Sequence, residues 1–169
     1  MQILFDGDVH TDYNQIYVES RPDSDAAFET AFNGQVNGLC GGASPGFLYL
    51  STGLHAGHVG FTVELHEEAP PVDNFWEDVV EVPFGPSSET LQVVQLFREA
   101  ACSLAVPQVD LRVRYCARRC RPELKQVAVH GRFIVGNEVQ WRGVIHAASA
   151  VPDPEIDLRD RQGTRRLTE

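Results

Sequence analysis

The chain has 169 residues, of which 43% are hydrophobic and 22% are charged, and its formal net charge is −10. These values are ordinary for one globular domain with a sizeable core. No apolar run approaches the roughly 20 residues of a membrane helix, and the N-terminal residues lack the basic and apolar regions of a secretory signal. We therefore expect a cytoplasmic protein that makes no membrane contact.

The charge is distributed unevenly along the chain. Residues 1–90 carry fifteen acidic side chains and one basic residue, Arg21, a net charge of −14. Residues 91–169 carry nine acidic and thirteen basic side chains, a net charge of +4. Such asymmetry indicates an interaction surface, unless both halves fold into one domain in which their fields partly neutralise each other.

The N-terminal part of the sequence predicts one short helix and several weak strands. Residues 23–32 suit a helix that Asp23 or Ser24 would cap and that Asn33-Gly34 would end. The glycine-rich stretch that follows predicts a loop. Weaker strand candidates, judged on composition, are residues 2–5, 13–20, 46–51 and 90–97. The last of these is ambiguous, because the apolar residues from 96 to 104 also fit a helical stripe.

Strict alternation of apolar and polar residues predicts half-buried strands further along the chain. One apolar face consists of Val59, Phe61, Val63 and Leu65, a second of Val80, Val82 and Phe84, and a third of Leu111, Val113, Tyr115 and Ala117. The polar set of the third strand is Arg112, Arg114, Cys116 and Arg118. Residues 127–146 predict a hairpin that turns at Gly136-Asn137.

These short strands, with turn residues between them and no alternation with helices, predict a mainly β fold. We expect an antiparallel β-sandwich or jelly-roll-like domain with one or two short helices. Residues 1–150 would form this single domain. Residues 151–169 have little apolar content and would form a loose C-terminal extension.

The four cysteines, Cys40, Cys102, Cys116 and Cys120, are too few for a disulfide scaffold, and we expect reduced thiols. On one strand, the Cα atoms of Cys116 and Cys120 would lie roughly 13 Å apart, too far for a disulfide or a shared zinc ion. The runs around His55 and His58, and from Asp6 to Asp12, have no specific metal spacing. We therefore expect no metal site and no cofactor.

The arginine-rich stretch at residues 112–121 leaves three interpretations open. It is a solvated strand face paired with acidic residues of the N-terminal half, a contact for a partner protein, or a phosphate-binding surface for nucleic acid. Nucleic acid is the least favoured partner, because the chain is acidic and no stripe of stacking aromatic residues accompanies the arginines.

Three stretches together carry a resemblance to known proteins. They are DYNQIYVES at residues 12–20, FWEDVVEVPF at 75–84 and LRVRYCARR at 111–119. In this order they resemble a family of small, largely uncharacterised bacterial β-rich proteins that is distantly similar to the competence-associated nuclease inhibitors. The resemblance implies a β-rich accessory or inhibitor protein without catalysis, and it supplies no catalytic residues. The sequence departs from the family in its glycine-rich stretch around Cys40 and at residues 99–106.

We therefore expect a non-enzymatic protein-interaction module, an inhibitor or immunity protein that covers a basic surface of a partner such as a nuclease. The expected binding residues are Glu64, Glu67, Glu68, Asp73, Trp76, Glu77, Asp78, Glu81, Arg112, Arg114 and Arg118. One alternative is a small metal-dependent or cysteine-based enzyme that uses His55, His58 and His66, or Cys40. The other is nucleic-acid binding through residues 112–121.

Overall fold

The computed structural model describes residues 1–20, 25–119, 129–137 and 156–157, and these form strands with one short helix. In chain order the elements are β1 (Gln2–Asp12), β2 (Gln15–Glu19), α1 (Asp25–Thr30), β3 (Cys40–Gly41), β4 (Phe47–Ser51), β5 (Ala56–His66), β6 (Asp78–Phe84), β7 (Thr90–Gln95), β8 (Ala100–Ala105), β9 (Leu111–Arg119), β10 (Val129–Asn137) and β11 (Ile156–Asp157). The weak strand candidates are thus strands, and β8 replaces the alternative helical stripe.

The strands form one hydrogen-bonded network that folds over on itself into two layers. The first layer has the order β11-β6-β9-β10-β5-β1, and the second has the order β3-β4-β2-β7-β8. Neighbouring strands in the described part of the chain are antiparallel, except that β5 and β10 run parallel. The predicted mainly β fold with little helix is confirmed.

The two layers are joined where β1 turns into β2. Tyr13 and Asn14 form a two-residue turn between the paired residues Asp12 and Gln15, with φ angles of 51° and 63°. A turn with positive φ at both central residues matches the right-handed twist of the strands, and asparagine tolerates that conformation. The Asn14 carbonyl also accepts a hydrogen bond from the Thr52 amide at 2.8 Å, which holds the turn against the second layer.

The core lies between the two layers and contains the apolar faces that alternation predicted. Phe61 of β5 and Tyr115 of β9 are buried there, together with apolar residues of β2, β4 and β7. The Tyr115 hydroxyl donates a hydrogen bond across the core to the carbonyl of Ser51 at 3.1 Å. Burial raises the pKa of this hydroxyl above its ordinary value, so it stays protonated and remains a donor.

The predicted helix is present as α1, within residues 23–32, and lies near the outer face of the second layer. Phe28 of the helix contacts Tyr17 and Tyr49, with ring centroids 6.0 and 5.6 Å apart. These aromatic contacts give the short helix a packing partner, which it needs because one or two turns are not stable alone. Gly34, with a φ of 72°, follows the helix as expected. The expected caps, Asp23 and Ser24, lie outside the described residues.

The turn predicted at Gly136-Asn137 is wrong. Both residues belong to β10, where they pair with Arg112 and Leu111 of β9. The local preference of glycine and asparagine for turns is outweighed by the ladder of hydrogen bonds with β9. Residues 156–157 lie in the expected C-terminal extension and pair with β6 as β11; the domain boundary at residue 150 stays a prediction. No helix in the described part of the chain is long and apolar enough to cross a membrane.

Gly42 tests how closely the two layers pack. A Cβ atom added there would lie 2.9 Å from Cγ2 of Val82 and 3.2 Å from the carbonyl oxygen of Pro83. We therefore expect Gly42→Ala to lower the free energy of unfolding by about 1–3 kcal/mol, measured by urea denaturation. Gly38→Ala is the control, because a Cβ there meets nothing within 4 Å. Equal stabilities of the two variants would contradict the packing.

Candidate protein-binding site

Three of the four residues on the polar face of β9 are buried, although the sequence predicted a solvated face or an exposed contact. Arg112 and Arg114 are only 4% and 5% exposed. Both lie beside Glu81 of β6, which is 1% exposed. Cys116, on the same face, is buried as well. Another segment of the chain therefore covers the outer face of the first layer around Arg112 and Arg114.

Glu81 and the two arginines form an ion-pair cluster. Glu81 pairs directly with Arg114 in the antiparallel ladder, so their side chains share a face. Nε of Arg114 donates a hydrogen bond to Oε1 of Glu81 at 2.6 Å, and Nε of Arg112 lies 3.8 Å from Oε2. Pairing with an acidic residue of the N-terminal half was one of the sequence interpretations. Such pairing is needed here, because burying an uncompensated charge costs several kcal/mol.

The β5–β6 loop, residues 67–77, covers this face. Through β10, His66 at the end of β5 is level with Arg112 and Pro83, whereas Asp78 at the start of β6 is level with Ala117. The loop must therefore return about 17 Å along the strand direction, which is five residue steps of β6. It is attached on the way, because Nη1 of Arg114 donates a hydrogen bond to the Pro70 carbonyl at 2.6 Å.

A pocket of about 530 Å³ remains between the loop and the sheet. Its lining includes Pro70, Pro71 and Trp76 from the loop and Glu64, His66 and Arg114 from the sheet. Nε2 of His66 lies 2.9 Å from Oε2 of Glu64, and both side chains are largely buried. The volume is in the range of small-ligand pockets, and the lining combines apolar walls with a few polar groups.

Phe75 and Trp76 form an aromatic pair at the end of the loop. Their rings meet edge to face with centroids 5.2 Å apart, and the guanidinium carbon of Arg118 lies 4.1 Å from the centre of the Phe75 ring. The Trp76 amide donates to the Asp73 carbonyl at 3.2 Å, and the Phe75 amide donates to the Asp73 carboxylate at 2.9 Å. Arg118, which the sequence placed in the binding set, thus supports an exposed aromatic ring.

The remaining expected carboxylates lie along the loop and at its end. Glu67, Glu68, Asp73 and Glu77 are exposed, and Asp78 is half-buried. We call these five residues the acidic rim. Glu64 and Glu81 do not belong to it, because both are buried. The structure therefore divides the expected binding set into exposed carboxylates along the loop and buried charges that hold the sheet face underneath.

The residues of the enzyme alternative are not brought together. Cys40 is fully buried in the core. His58 lies against His10, with ring centroids 5.0 Å apart, and His55 lies against Tyr13, whereas His66 is at the far end of β5. Among the described residues no group of three or more histidine, cysteine or acidic side chains is placed to hold a metal ion.

No disulfide joins the described cysteines, Cys40, Cys102 and Cys116. Burial raises the pKa of Cys102 to about 11, so this thiol is protonated at neutral pH and is a poor nucleophile. Cys120 lies outside the described residues, so the expectation that Cys116 and Cys120 do not pair stays a prediction.

Part of the site was missed by the sequence analysis. The Pro70 carbonyl, the pocket and the contact of Phe75 with Arg118 all depend on the path of the β5–β6 loop. The one local signal is the pair Pro70-Pro71, which indicates a stiff and extended segment. It does not indicate the sheet face over which the segment lies.

The architecture places the chain among two-layered β proteins with little helix. No protein-family model matches the chain, and no curated protein sequence matches it. Among solved structures it is similar to the crystal structure of ComJ, inhibitor of the DNA-degrading activity of NucA, from Bacillus subtilis. The similarity covers 80% of this chain and 97% of that chain, with a TM-score of 0.55 and 15% sequence identity. The resemblance to nuclease inhibitors is thus confirmed at the level of the fold.

Removing the shared anion tests the ion-pair cluster. Glu81→Gln leaves Arg112 and Arg114 buried beside a neutral side chain, and we expect the free energy of unfolding to fall by about 3–5 kcal/mol. Glu89→Gln makes the same chemical change at an exposed position and should cost less than about 0.5 kcal/mol. Urea denaturation measures both variants. A cost for Glu81→Gln no larger than that of the control would show that the cluster does not organise this face.

Proposed function

We propose that the chain is a non-enzymatic inhibitor that binds a basic surface of a nuclease through the acidic rim. The observation that carries this proposal is a row of exposed carboxylates on a loop that is fastened to a sheet. The fold shared with ComJ supports a nuclease as the class of partner. A nuclease suits an acidic inhibitor, because a surface that binds nucleic acid is itself basic.

The attachment of the loop matters for affinity. Ordering a loop during association reduces the free energy available for binding, and a loop held in its bound shape avoids that loss. The hydrogen bond from Arg114 to Pro70 and the two bonds within residues 73–76 hold the loop in this way. The rim carboxylates would also steer a basic partner during diffusion and raise the association rate.

Phe75 and Trp76 are the proposed anchors. Aromatic side chains dominate the energetics of protein interfaces when they are placed at the centre and surrounded by polar residues. Phe75 is exposed, Trp76 is half-buried, and the acidic rim extends to both sides of them along the chain. An interface centred on this pair would therefore have an apolar centre with a charged periphery.

No observation favours the two alternatives. An enzyme built on Cys40 needs an accessible thiol, but Cys40 is fully buried. Nucleic-acid binding through the arginine strand needs free guanidinium groups, but Arg112 and Arg114 are buried beside Glu81. Arg121 and its neighbours lie outside the described residues. The cytoplasmic location expected from the sequence stays a prediction.

Capture of the partner tests the proposed function directly. The immobilised chain retains proteins from the cells that produce it, and the proteins released by high salt are purified and assayed for DNA degradation. We expect a released nuclease whose activity is lost when one equivalent of the chain is added back. Released proteins without DNA-degrading activity, or a nuclease that the chain does not inhibit, would show that the proposed function is wrong.

Charge reversal tests the acidic rim. We expect the triple variant Glu67→Lys, Glu68→Lys and Glu77→Lys to slow association with the captured nuclease by about tenfold or more, and to weaken its dependence on salt. The control triple Asp8→Lys, Glu89→Lys and Glu99→Lys changes the net charge equally at exposed positions elsewhere. Stopped-flow or surface-based kinetics measure the rates. Equal slowing by both triples would show that only the net charge of the chain, and not the position of the rim residues, affects association.

Truncation of Trp76 tests the anchor. We expect Trp76→Ala to accelerate dissociation of the complex, with a loss of about 2 kcal/mol or more in binding free energy and little change in the association rate. Phe97→Ala is the control, because Phe97 is an exposed aromatic residue in the β7–β8 turn, away from the loop. The same dissociation rate for Trp76→Ala and the unmodified chain would remove Trp76 from the interface.

A further inference from the structure

The pocket under the β5–β6 loop has a lining that suits a cation. Glu64 and Asp73 bring two carboxylates to it, and Trp76 contributes an indole ring. One oxygen of Glu64 is in contact with His66 and one oxygen of Asp73 accepts the Phe75 amide, so a guanidinium group would join these contacts. Pro70 and Pro71 form apolar walls. A guanidinium group with an aliphatic stem matches this combination, because its head pairs with carboxylates and its plane stacks on aromatic rings.

Arg114 also lines the pocket but does not make it an anion site. Its Nε already donates to Glu81 and its Nη1 already donates to Pro70, so its charge and two of its donors are engaged. Glu64 and Asp73 would repel an anion that approached from solvent. Three further carboxylates, those of Glu67, Glu68 and Glu77, are exposed on the loop that covers the pocket.

We propose that this pocket receives an arginine side chain of the partner. The proposal rests on the proposed function, since a basic partner surface is what supplies the arginine. The side chain would insert between the loop and the sheet, place its guanidinium group near the carboxylates of Glu64 and Asp73, and pack its methylene groups against the prolines and Trp76. A pocket that is partly shielded from water strengthens such a charge pair relative to one on the open surface.

A small probe tests the pocket without the partner. The indole N–H resonance of Trp76, assigned with the Trp76→Phe variant, is followed by NMR while Nα-acetyl-arginine-N-methylamide is added to the full chain. We expect a saturable shift with a dissociation constant in the millimolar range. The matched citrulline compound, which has the same shape and no charge, should bind at least tenfold more weakly.

Two variants test whether the carboxylates of Asp73 and Glu64 bind the arginine compound. Asp73→Asn keeps an oxygen that accepts the Phe75 amide, and we expect it to weaken arginine binding about fivefold. Glu64→Gln should weaken it at least as much, provided that thermal unfolding shows an intact fold. Glu89→Gln should leave it unchanged. Binding of citrulline as tight as that of arginine, a saturable shift with inorganic phosphate instead, or unchanged affinity in Asp73→Asn would overturn the assignment.

The NMR titration and the inhibition assay distinguish the pocket assignment from the proposed function. If arginine does not shift the Trp76 resonance while the chain still inhibits the captured nuclease, the pocket assignment is wrong and the proposed function stands. If arginine binds as expected and no nuclease is inhibited, the pocket accepts cations and the proposed function is wrong.

Discussion

The structure of the outer sheet face depends on one carboxylate. Glu81 lies beside Arg112 and Arg114 in a position almost without solvent, and its two oxygens face the two guanidinium groups. Two buried cations without this anion would be unstable by several kcal/mol. With it, Arg114 is held where a remaining donor reaches the Pro70 carbonyl, and the β5–β6 loop is fastened over the face that β6 and β9 share.

This arrangement links an internal charge cluster to a surface property. The loop carries exposed carboxylates and aromatic rings together, from Glu67 to Glu77. Because the loop is attached to the sheet, it forms a fixed surface with a pocket beneath it. Arginine suits the role better than lysine, because its planar group donates to Glu81 and to the loop at the same time. An acidic residue of the first half of the chain, Glu81, thus pairs with arginines of the second half inside the molecule.

Sequence periodicity predicted which side chains share a face but not what covers that face. Phe61 and Tyr115 are in the core as alternation indicated, because a two-residue period determines the side of a strand on which each residue lies. Arg112 and Arg114 are on the opposite side, also as indicated, yet they are buried, because a loop from a distant part of the sequence lies over them. The path of that loop depends on the strand order of the first layer, in which β10 separates β5 from β9. Strand order is a long-range property that no local pattern contains.

We propose that the loop fastened by Arg114 is the surface that binds the nuclease. Hydrogen–deuterium exchange of the chain, alone and with one equivalent of the captured nuclease, tests it most directly. The account predicts that protection from exchange on binding is concentrated at residues 66–78, around the acidic rim and the aromatic pair. Protection confined to the other side of the molecule, at helix α1 and the β7–β8 turn, with unchanged exchange at residues 66–78, would contradict it.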